Sequence, residues 1–212
     1  MFVDIHTHNQ TSSAFPMIIN VNIEDVQRIF DSEVKGMYYY GLHPWYVNEN
    51  SEKEILCLEN LLSKDKIVCV GECGLDKNCK VSLPIQNELF RKQIELSEKY
   101  HKPLIIHCVG CFNELFDLRY ELNPKQLWII HGFRGKPELA SQALKSGCAL
   151  SFGEHFNEAS VRLTPIERLF VETDESNISI EKIYSNIANI KNCSPEQLTA
   201  GENLFRQIIV ER

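Results

Sequence analysis

The 212-residue sequence has no long hydrophobic run, no excess of positive charge and no low-complexity linker. A membrane-spanning helix needs about 18 or more consecutive apolar residues, and no segment reaches that length. With 22 Lys and Arg against 29 Asp and Glu, the net charge of −7 argues against a broad basic surface that wraps nucleic acid. It does not exclude local contact with nucleic acid through metal ions. Because nothing divides the chain, we expect one domain over residues 1–212.

The sequence also lacks a secretory signal, which would show a basic start followed by an apolar stretch and a cleavage site. Its eight cysteines are therefore interpreted as reduced thiols of a cytoplasmic protein. Cys108 and Cys111 form a C-x-x-C, but no second such pair completes a four-sulfur zinc site. We expect these two cysteines to be free and partly buried.

Two histidines, His6 and His8, follow directly on the first apolar run of the chain. Side chains alternate along a strand, so the two imidazoles are expected to point to the same side. Neutral imidazole suits Zn, Fe, Ni, Mn or Cu better than Mg or Ca. The pair is thus half of a transition-metal site, or else a surface pair, and the short motif alone does not decide between them.

Further apolar runs end in residues that can bind a metal ion. These residues are His43, Glu72, His107, His131 and Asp174. Parallel strands that are buried on both faces read as apolar runs, and the catalytic residues of a βα barrel come from the C-terminal ends of several strands. The recurrence therefore favours the metal interpretation and predicts a barrel enzyme.

Eight strand candidates alternate with helical stretches. We predict strands at 2–6, 17–22, 36–42, 67–72, 103–107, 127–131, 149–152 and 169–172, and helices at 23–31, 51–63, 84–99, 137–145, 181–190 and 195–210. This alternation predicts a parallel sheet, and eight repeats favour a TIM-type (β/α)8 barrel over an open sheet. Only about ten residues separate His8 from the second strand, too few for a crossover helix. We therefore expect a distorted barrel whose first crossover helix is shortened or missing.

Taken together, the motifs resemble those of the TatD-related hydrolases. The matching segments are HTH at 6–8, GLHP at 41–44, GECGLD at 71–76, PLIIHC at 103–108, HGFRG at 131–135 and ETD at 172–174. They occur in the family's order and span nearly the whole chain. The family comprises metal-dependent deoxyribonucleases within the amidohydrolase superfamily of βα barrels. The resemblance implies two divalent metal ions per chain (Zn, Mn or Mg) and DNA or a short oligonucleotide as substrate.

The resemblance also implies a set of ligands for the two metal ions. They are His6, His8 and Asp174 for one ion, His107 and His131 for the other, and Glu72 as a bridge. Two divalent cations can polarise a phosphoryl oxygen and lower the pKa of a bound water. Four neutral histidines and two carboxylates would leave such a site with a net positive charge, which favours a phosphodiester. Asp174 is the expected acceptor of the water proton, so Asp174 and Glu72 are the predicted catalytic residues.

Some loop residues depart from the family pattern. Trp45 stands where the family usually has a second His, and Ser176 stands where it usually has Pro. Residues 77–79 replace the aromatic or His residues often found after the GLD element. All these changes fall in loops that we expect to face the substrate.

Three residues are predicted to contact the substrate, namely His43, Trp45 and Arg134. His43 contacts a phosphate or holds the turn before the proline that follows it. Trp45 stacks on a base or covers the barrel mouth, and Arg134 clamps a phosphate or is solvated. Asp76 orients a ligating histidine or caps its own loop.

The leading hypothesis for the function is a metal-dependent phosphodiesterase of the TatD type that acts on DNA ends or short oligonucleotides. Because two-metal centres hydrolyse carbonyl carbons as well, one alternative is an amidohydrolase-type enzyme that cleaves an amide, lactone or aminoacyl ester. Another is a non-catalytic metal-binding barrel, against which the complete ligand set argues.

Overall fold

The computed structural model of the chain describes residues 1–9, 14–26, 37–64 and 67–210. These residues fall into two compact units. Unit 1 is formed by Met1–Ile19 with Ile129–Arg212, and unit 2 is formed by Asn20–Trp128. The single domain expected over residues 1–212 stays a prediction.

Eight strands are present in the described part of the chain. They are β1 (Asp4–Thr7), β2 (Met17–Asn20), β3 (Met37–Tyr40), β4 (Cys69–Asp76), β5 (Leu104–Val109), β6 (Trp128–Ile130), β7 (Ala149–Phe152) and β8 (Leu169–Val171). Each coincides with a strand predicted from the sequence. β4 runs past its predicted end at Glu72, because residues 73–76 continue to pair with β5 in parallel register.

Helices separate most of the strands. They are α1 (described at residues 23–26), α2 (Ser51–Ser63), α3 (Leu83–Tyr100), α4 (Phe112–Leu122), α5 (Pro137–Lys145), α6 (Glu158–Leu163), α7 (Ile180–Lys191) and α8 (Ala200–Val210). Residues 27–31 of the first predicted helix lie outside the described residues. The helix predicted at 195–210 is divided, because Pro195–Gln197 forms a separate 3-10 turn. Among the described residues, no helix combines the length and the apolar character needed to cross a membrane.

In unit 1, the strands follow the order β6, β7, β8, β1, β2. β6 pairs with β7, β7 with β8 and β1 with β2, all in parallel. A parallel bridge between Thr7 and Asp174 joins β1 to the residues after β8. Of the residues between β1 and β2, those that the structure describes (8, 9 and 14–16) contain no helix. Residues 10–13 of that crossover lie outside the described part.

In unit 2, β3 pairs with β4 and β4 with β5, again in parallel. Glycines allow the close approach of these strands. A Cβ on Gly41 would lie 2.6 Å from the Cα of Gly71, and a Cβ on Gly71 would lie 2.3 Å from the carbonyl oxygen of Ile105. The φ angle of +147° at Gly71 is also one that other residues rarely adopt. The two glycines therefore let the segments that carry His43 and Glu72 lie side by side.

Asp4 is a buried carboxylate that links β1 to the residues after β8. Its Oδ1 accepts a hydrogen bond from the Thr173 backbone N–H at 3.0 Å, and its Oδ2 accepts one from the Thr173 hydroxyl at 2.6 Å. The Thr173 oxygen also lies 2.9 Å from the Thr7 hydroxyl. Desolvation by burial raises the pKa of Asp4 to about 6, although the hydrogen bonds from Thr173 act against that rise. The hydrogen-bonded carboxylate of Asp4 thus connects β1 to Thr173, which follows β8.

We predict that Asp4→Ala lowers the free energy of unfolding by about 1–3 kcal/mol, because the Thr173 N–H and O–H groups would remain buried without an acceptor. Asp4→Asn should cost less. It keeps one acceptor, and its amide can donate to the Thr173 oxygen while the Thr173 hydroxyl donates to Thr7. Urea unfolding followed by circular dichroism measures both variants. Equal stability of Asp4→Ala and wild type would contradict the assignment.

Candidate functional site

Three predicted metal ligands come together where β1 meets the residues after β8. The ligand atoms of His6, His8 and Asp174 lie within 4.8 Å of one another. Asp174 Oδ1 is 3.2 Å from His6 Nε2 and 3.6 Å from His8 Nε2. The two imidazole centroids are 5.1 Å apart, so the expected same-side placement is confirmed. His6 is fully buried, whereas the His8 and Asp174 side chains are 41% and 31% exposed, which leaves this group open to solvent on one side.

Asp174 has a left-handed backbone, with φ of +55°. This conformation costs an L residue roughly 1–2 kcal/mol. Hydrogen bonds on both sides hold it in place: the Asp174 N–H donates to the His6 carbonyl at 3.0 Å, and the His8 N–H donates to the Asp174 carbonyl at 3.2 Å. The same bonds that pair the first and last strands therefore place the Asp174 carboxylate against the two histidines.

A second ligand group in unit 1 consists of His131, Glu172 and Asp174, whose ligand atoms also lie within 4.8 Å of one another. His131 Nδ1 is 3.7 Å from Glu172 Oε1, and the His131 ring lies 4.4 Å from the His6 ring between centroids. Glu172 Oε1 accepts a hydrogen bond from the Gly132 N–H at 2.6 Å. The other carboxylate oxygen, Oε2, is buried and has no hydrogen-bond partner among the described residues. Since an unsatisfied buried carboxylate oxygen is costly, this group fits a bound cation.

In unit 2, the ligand atoms of His43, Glu72 and His107 lie within 4.8 Å of one another. His43 Nε2 is 3.9 Å from Glu72 Oε2, and the His43 and His107 rings pack edge to face at 4.3 Å between centroids. Asn20 Nδ2 donates a hydrogen bond to Glu72 Oε1 at 2.6 Å, which orients the carboxylate. The structure thus groups His43 with two predicted ligands, whereas the sequence suggested a role in substrate binding or in a turn.

Asp76, at the end of β4, orients His107. Its Oδ2 lies 3.0 Å from His107 Nε2, and its Oδ1 accepts a hydrogen bond from the Asn78 N–H at 2.7 Å. Burial by itself would raise the pKa of Asp76, but hydrogen bonds from His107, Asn78 and Trp45 outweigh it and lower the pKa. An ionised Asp76 accepts a hydrogen bond from the Nε2–H of His107, so Nδ1 of His107 keeps the lone pair that can bind a metal ion. Asp76 therefore makes the contacts expected for both roles: it orients His107, and it caps its own loop through the Asn78 N–H.

Two of the predicted substrate-contacting residues take part in local contacts. His43 Nδ1 accepts a hydrogen bond from the Trp45 N–H at 3.1 Å, so His43 also holds the turn that follows it. Trp45 is 59% exposed. Arg134 is exposed in the loop between β6 and α5.

Ser176, one of the departures from the family pattern, donates a hydrogen bond to Glu154 at 2.6 Å. This bond connects the loops that follow β7 and β8.

The sequence prediction missed three polar residues that support the ligand groups: Asp4, Asn20 and Glu172. All three are polar residues in or directly after runs that are otherwise apolar, and all three accept or donate hydrogen bonds in the structure. A buried polar group needs a partner, so a polar residue within a predicted buried strand is a signal of such a network. That signal was available in the sequence.

The donor sets fit a divalent transition metal. Both units offer imidazole nitrogens together with carboxylate oxygens, the combination that suits Zn and related ions. The six predicted ligands all belong to one or another of these groups: His6, His8 and His131 with Asp174 in unit 1, and His107 with Glu72 in unit 2.

The fold is similar to that of solved TatD proteins. The crystal structure of YJJV, a TatD homologue from Escherichia coli K12, matches 98% of this chain and 97% of that chain with a TM-score of 0.80 at 18% identity. A likeness at this identity shows the fold alone. It confirms the predicted TIM-type (β/α)8 barrel, with eight parallel strands and helices between them.

The chain also has relatives in sequence. An uncharacterized metal-dependent hydrolase from Buchnera aphidicola subsp. Baizongia pistaciae is 32% identical over 179 residues, which cover 74% of this chain and 67% of that protein. A protein from Erwinia tasmaniensis named 3'-5' ssDNA/RNA exonuclease TatD is 31% identical over 145 residues. That match covers 63% of this chain and 56% of the relative.

A (β/α)8 fold whose strand ends carry imidazole and carboxylate groups is typical of metal-dependent hydrolases. The family model described as TatD related DNase matches residues 3–200, and the chain belongs to this family. The resemblance noted in the sequence is therefore confirmed, and so is the prediction of a TatD-type metal-dependent hydrolase that acts on ester bonds.

We predict that Glu172→Gln keeps the fold and weakens metal binding. Glutamine retains an acceptor for the Gly132 N–H, but it removes the carboxylate charge next to His131. The loss of such a supporting carboxylate typically lowers metal affinity about 10- to 100-fold. Competition with a zinc-binding dye measures the affinity, and thermal unfolding checks the fold. Glu181→Gln, on the exposed surface of α7, is the matched control. Wild-type zinc affinity in Glu172→Gln would contradict this role.

Proposed function

We propose that the chain is a metal-dependent phosphodiesterase that removes nucleotides from single-stranded DNA or from frayed 3′ ends, in preference to intact duplex. The observation that carries this proposal is the convergence of His6, His8 and Asp174 within 4.8 Å at paired strand ends. The Erwinia relative, named as an exonuclease of single-stranded DNA and RNA, supports the choice of substrate.

The ligand groups would hold two divalent ions per chain, of Zn, Mn or Mg. When bound, such ions polarise a phosphoryl oxygen and lower the pKa of a bound water towards neutrality. The bridging role of Glu72, implied by the family resemblance, stays a prediction. Within unit 2, Asn20 fixes the direction of the Glu72 carboxylate, and Asp76 keeps the proton of His107 on Nε2.

Asp174 is the acceptor for the proton of the attacking water. Its side chain is 31% exposed, so a water molecule can reach it, while His6 and the strand pairing hold its position. A carboxylate that is both fixed and accessible meets the geometric requirement for a general base. Glu172 lies in the same ligand group and supports His131.

The net charge of −7 supports a substrate with few phosphate contacts, such as one or two terminal nucleotides. The proposal also includes a cytoplasmic location, as expected from the sequence. Cys111 is buried and Cys108 is half-buried, as expected for the two thiols of the C-x-x-C.

We predict that the purified protein binds two equivalents of Zn or Mn per chain after incubation and dialysis, as measured by elemental analysis. His6→Ala should lose at least one equivalent, because it removes a buried ligand. His155→Ala changes a histidine whose side chain is 66% exposed and which belongs to none of the ligand groups, and it should bind as wild type does. Absence of bound metal in the wild-type protein would refute the assignment.

We further predict release of mononucleotides from labelled single-stranded oligonucleotides in the presence of Mg, Mn or Zn. Binding should be less salt-dependent than for a protein that contacts 6–10 phosphates, whose affinity falls about 10³- to 10⁵-fold between 50 and 200 mM salt. Amide, lactone and aminoacyl-ester substrates are assayed in parallel. Turnover of one of these, with no phosphodiester cleavage under any metal, would favour the amidohydrolase alternative.

Asp174→Asn provides the control for that assay. The substitution removes a ligand and the proton acceptor together, so turnover should fall by at least about 10²- to 10⁴-fold, the usual contribution of general-base catalysis. Circular dichroism checks that the variant is folded. Wild-type turnover in a folded Asp174→Asn protein would exclude Asp174 as the base if His6→Ala is inactive. Turnover that persists in both variants would indicate a contaminating nuclease.

A further inference from the structure

Trp45 carries an indole that is exposed and yet held in position. The residue is 59% exposed, but its Nε1–H donates a hydrogen bond to Asp76 Oδ2 at 2.6 Å. The rings of His43 and His107 pack edge-on against the indole, with centroid distances of 5.1 and 5.9 Å. These contacts fix the orientation of the ring and leave more than half of the residue open to solvent.

The loop that carries Trp45 is tied to the loop after β4. The Cys79 thiol donates a hydrogen bond to the Pro44 carbonyl at 3.1 Å. Asp76 is itself anchored, because its N–H donates to Gln86 Oε1 at 2.8 Å and its carbonyl accepts from Gln86 Nε2 at 3.0 Å. A ligand that binds a ring already held in place avoids most of the entropic cost of ordering that side chain.

The ligand that this surface fits is an unstacked nucleobase. Because Asp76 occupies the only N–H donor of the indole, Trp45 offers its ring surface and no donor, and stacking on a ring tolerates every base. Tyr46, the next residue, is 67% exposed and adds a second aromatic ring. Lys77 and Lys80 are exposed in the neighbouring loop and provide positive charge for phosphates. Bases in an intact duplex are already stacked and paired, so they do not compete for this surface.

Asp76 connects the indole to a predicted metal ligand. The oxygen that accepts from Trp45 Nε1, Oδ2, also lies 3.0 Å from His107 Nε2. We propose that Trp45 is a specificity-determining residue. It stacks on a base of the single-stranded substrate, and Asp76, as a positioning residue, holds that base in a constant relation to His107. This inference rests on the proposed phosphodiesterase function and names the part of the substrate that is recognised.

Kinetics on matched templates test the proposal. One template is an oligothymidylate, and the other has the same length but carries abasic tetrahydrofuran residues in place of its nucleotides at the 3′ end. Trp45→Ala should raise KM for the first about 5- to 150-fold, the range expected for the loss of one base–aromatic stack. KM for the abasic template should not change. Trp45→Phe, which keeps a ring but loses the N–H, should fall between wild type and Trp45→Ala.

Tyr120→Ala is the matched control, because Tyr120 is a 90% exposed aromatic residue on α4 that belongs to none of the ligand groups. It should leave KM unchanged on both templates. An equal rise of KM on both templates in Trp45→Ala would show that Trp45 only covers the site and would overturn the proposal. An unchanged KM in that variant would overturn it as well.

Fluorescence provides a readout that is independent of turnover. The chain has two tryptophans, and Trp128 is fully buried. Titration of the metal-loaded protein with a phosphorothioate-linked oligothymidylate, which resists hydrolysis, should quench the emission of Trp45 and leave that of Trp128. Trp45→Phe should show no quenching, and quenching that persists in this variant would overturn the proposal. If no template is hydrolysed by any form of the protein, the phosphodiesterase function fails, and the titration still decides whether Trp45 binds a base.

Discussion

The pairing of β1 with the residues after β8 is the contact on which the ligand groups of unit 1 depend. Buried strands must satisfy their backbone N–H and C=O groups, and here the His6 carbonyl and the His8 N–H do so with Asp174. These bonds join residues that are 168 and 166 positions apart in the chain, and they stabilise a left-handed conformation at Asp174. Strand pairing and ligand placement are therefore a single constraint, and a change that weakened the pairing would also separate the ligands.

Hydrogen bonds to buried carboxylates hold the side chains around the ligand groups in position. A buried carboxylate is tolerated only where donors surround it. Asp4 takes two hydrogen bonds from Thr173, and Asp76 takes bonds from Trp45 and His107. Glu172 accepts one from a backbone N–H, and its other oxygen is buried with no hydrogen-bond partner among the described residues. The buried carboxylates, which are costly to remove from water, are thus also the groups that orient the predicted metal ligands.

Much of the fold followed from local patterns. The apolar runs located the eight strands of the described residues, and period-two alternation placed the side chains of His6 and His8 on the same side. Helices α4 and α6 were missed because they bury few residues. In α4 only Leu115 and Leu118 are buried, and α6 has six residues in all. A short helix with a narrow apolar face leaves too weak a periodic signal in the sequence.

The sequence by itself determined six candidate metal ligands and the strand that carries or precedes each of them, because side-chain chemistry and strand period are local properties. Only the tertiary structure decided how those residues are grouped. It placed His43 with Glu72 and His107, and it gave one oxygen of Asp76 to both Trp45 and His107. Such groupings depend on the lateral pairing of strands and on the packing of loops between residues distant in the chain. Those contacts arise from the balance of burial and hydrogen bonding over the whole fold, which no local pattern contains.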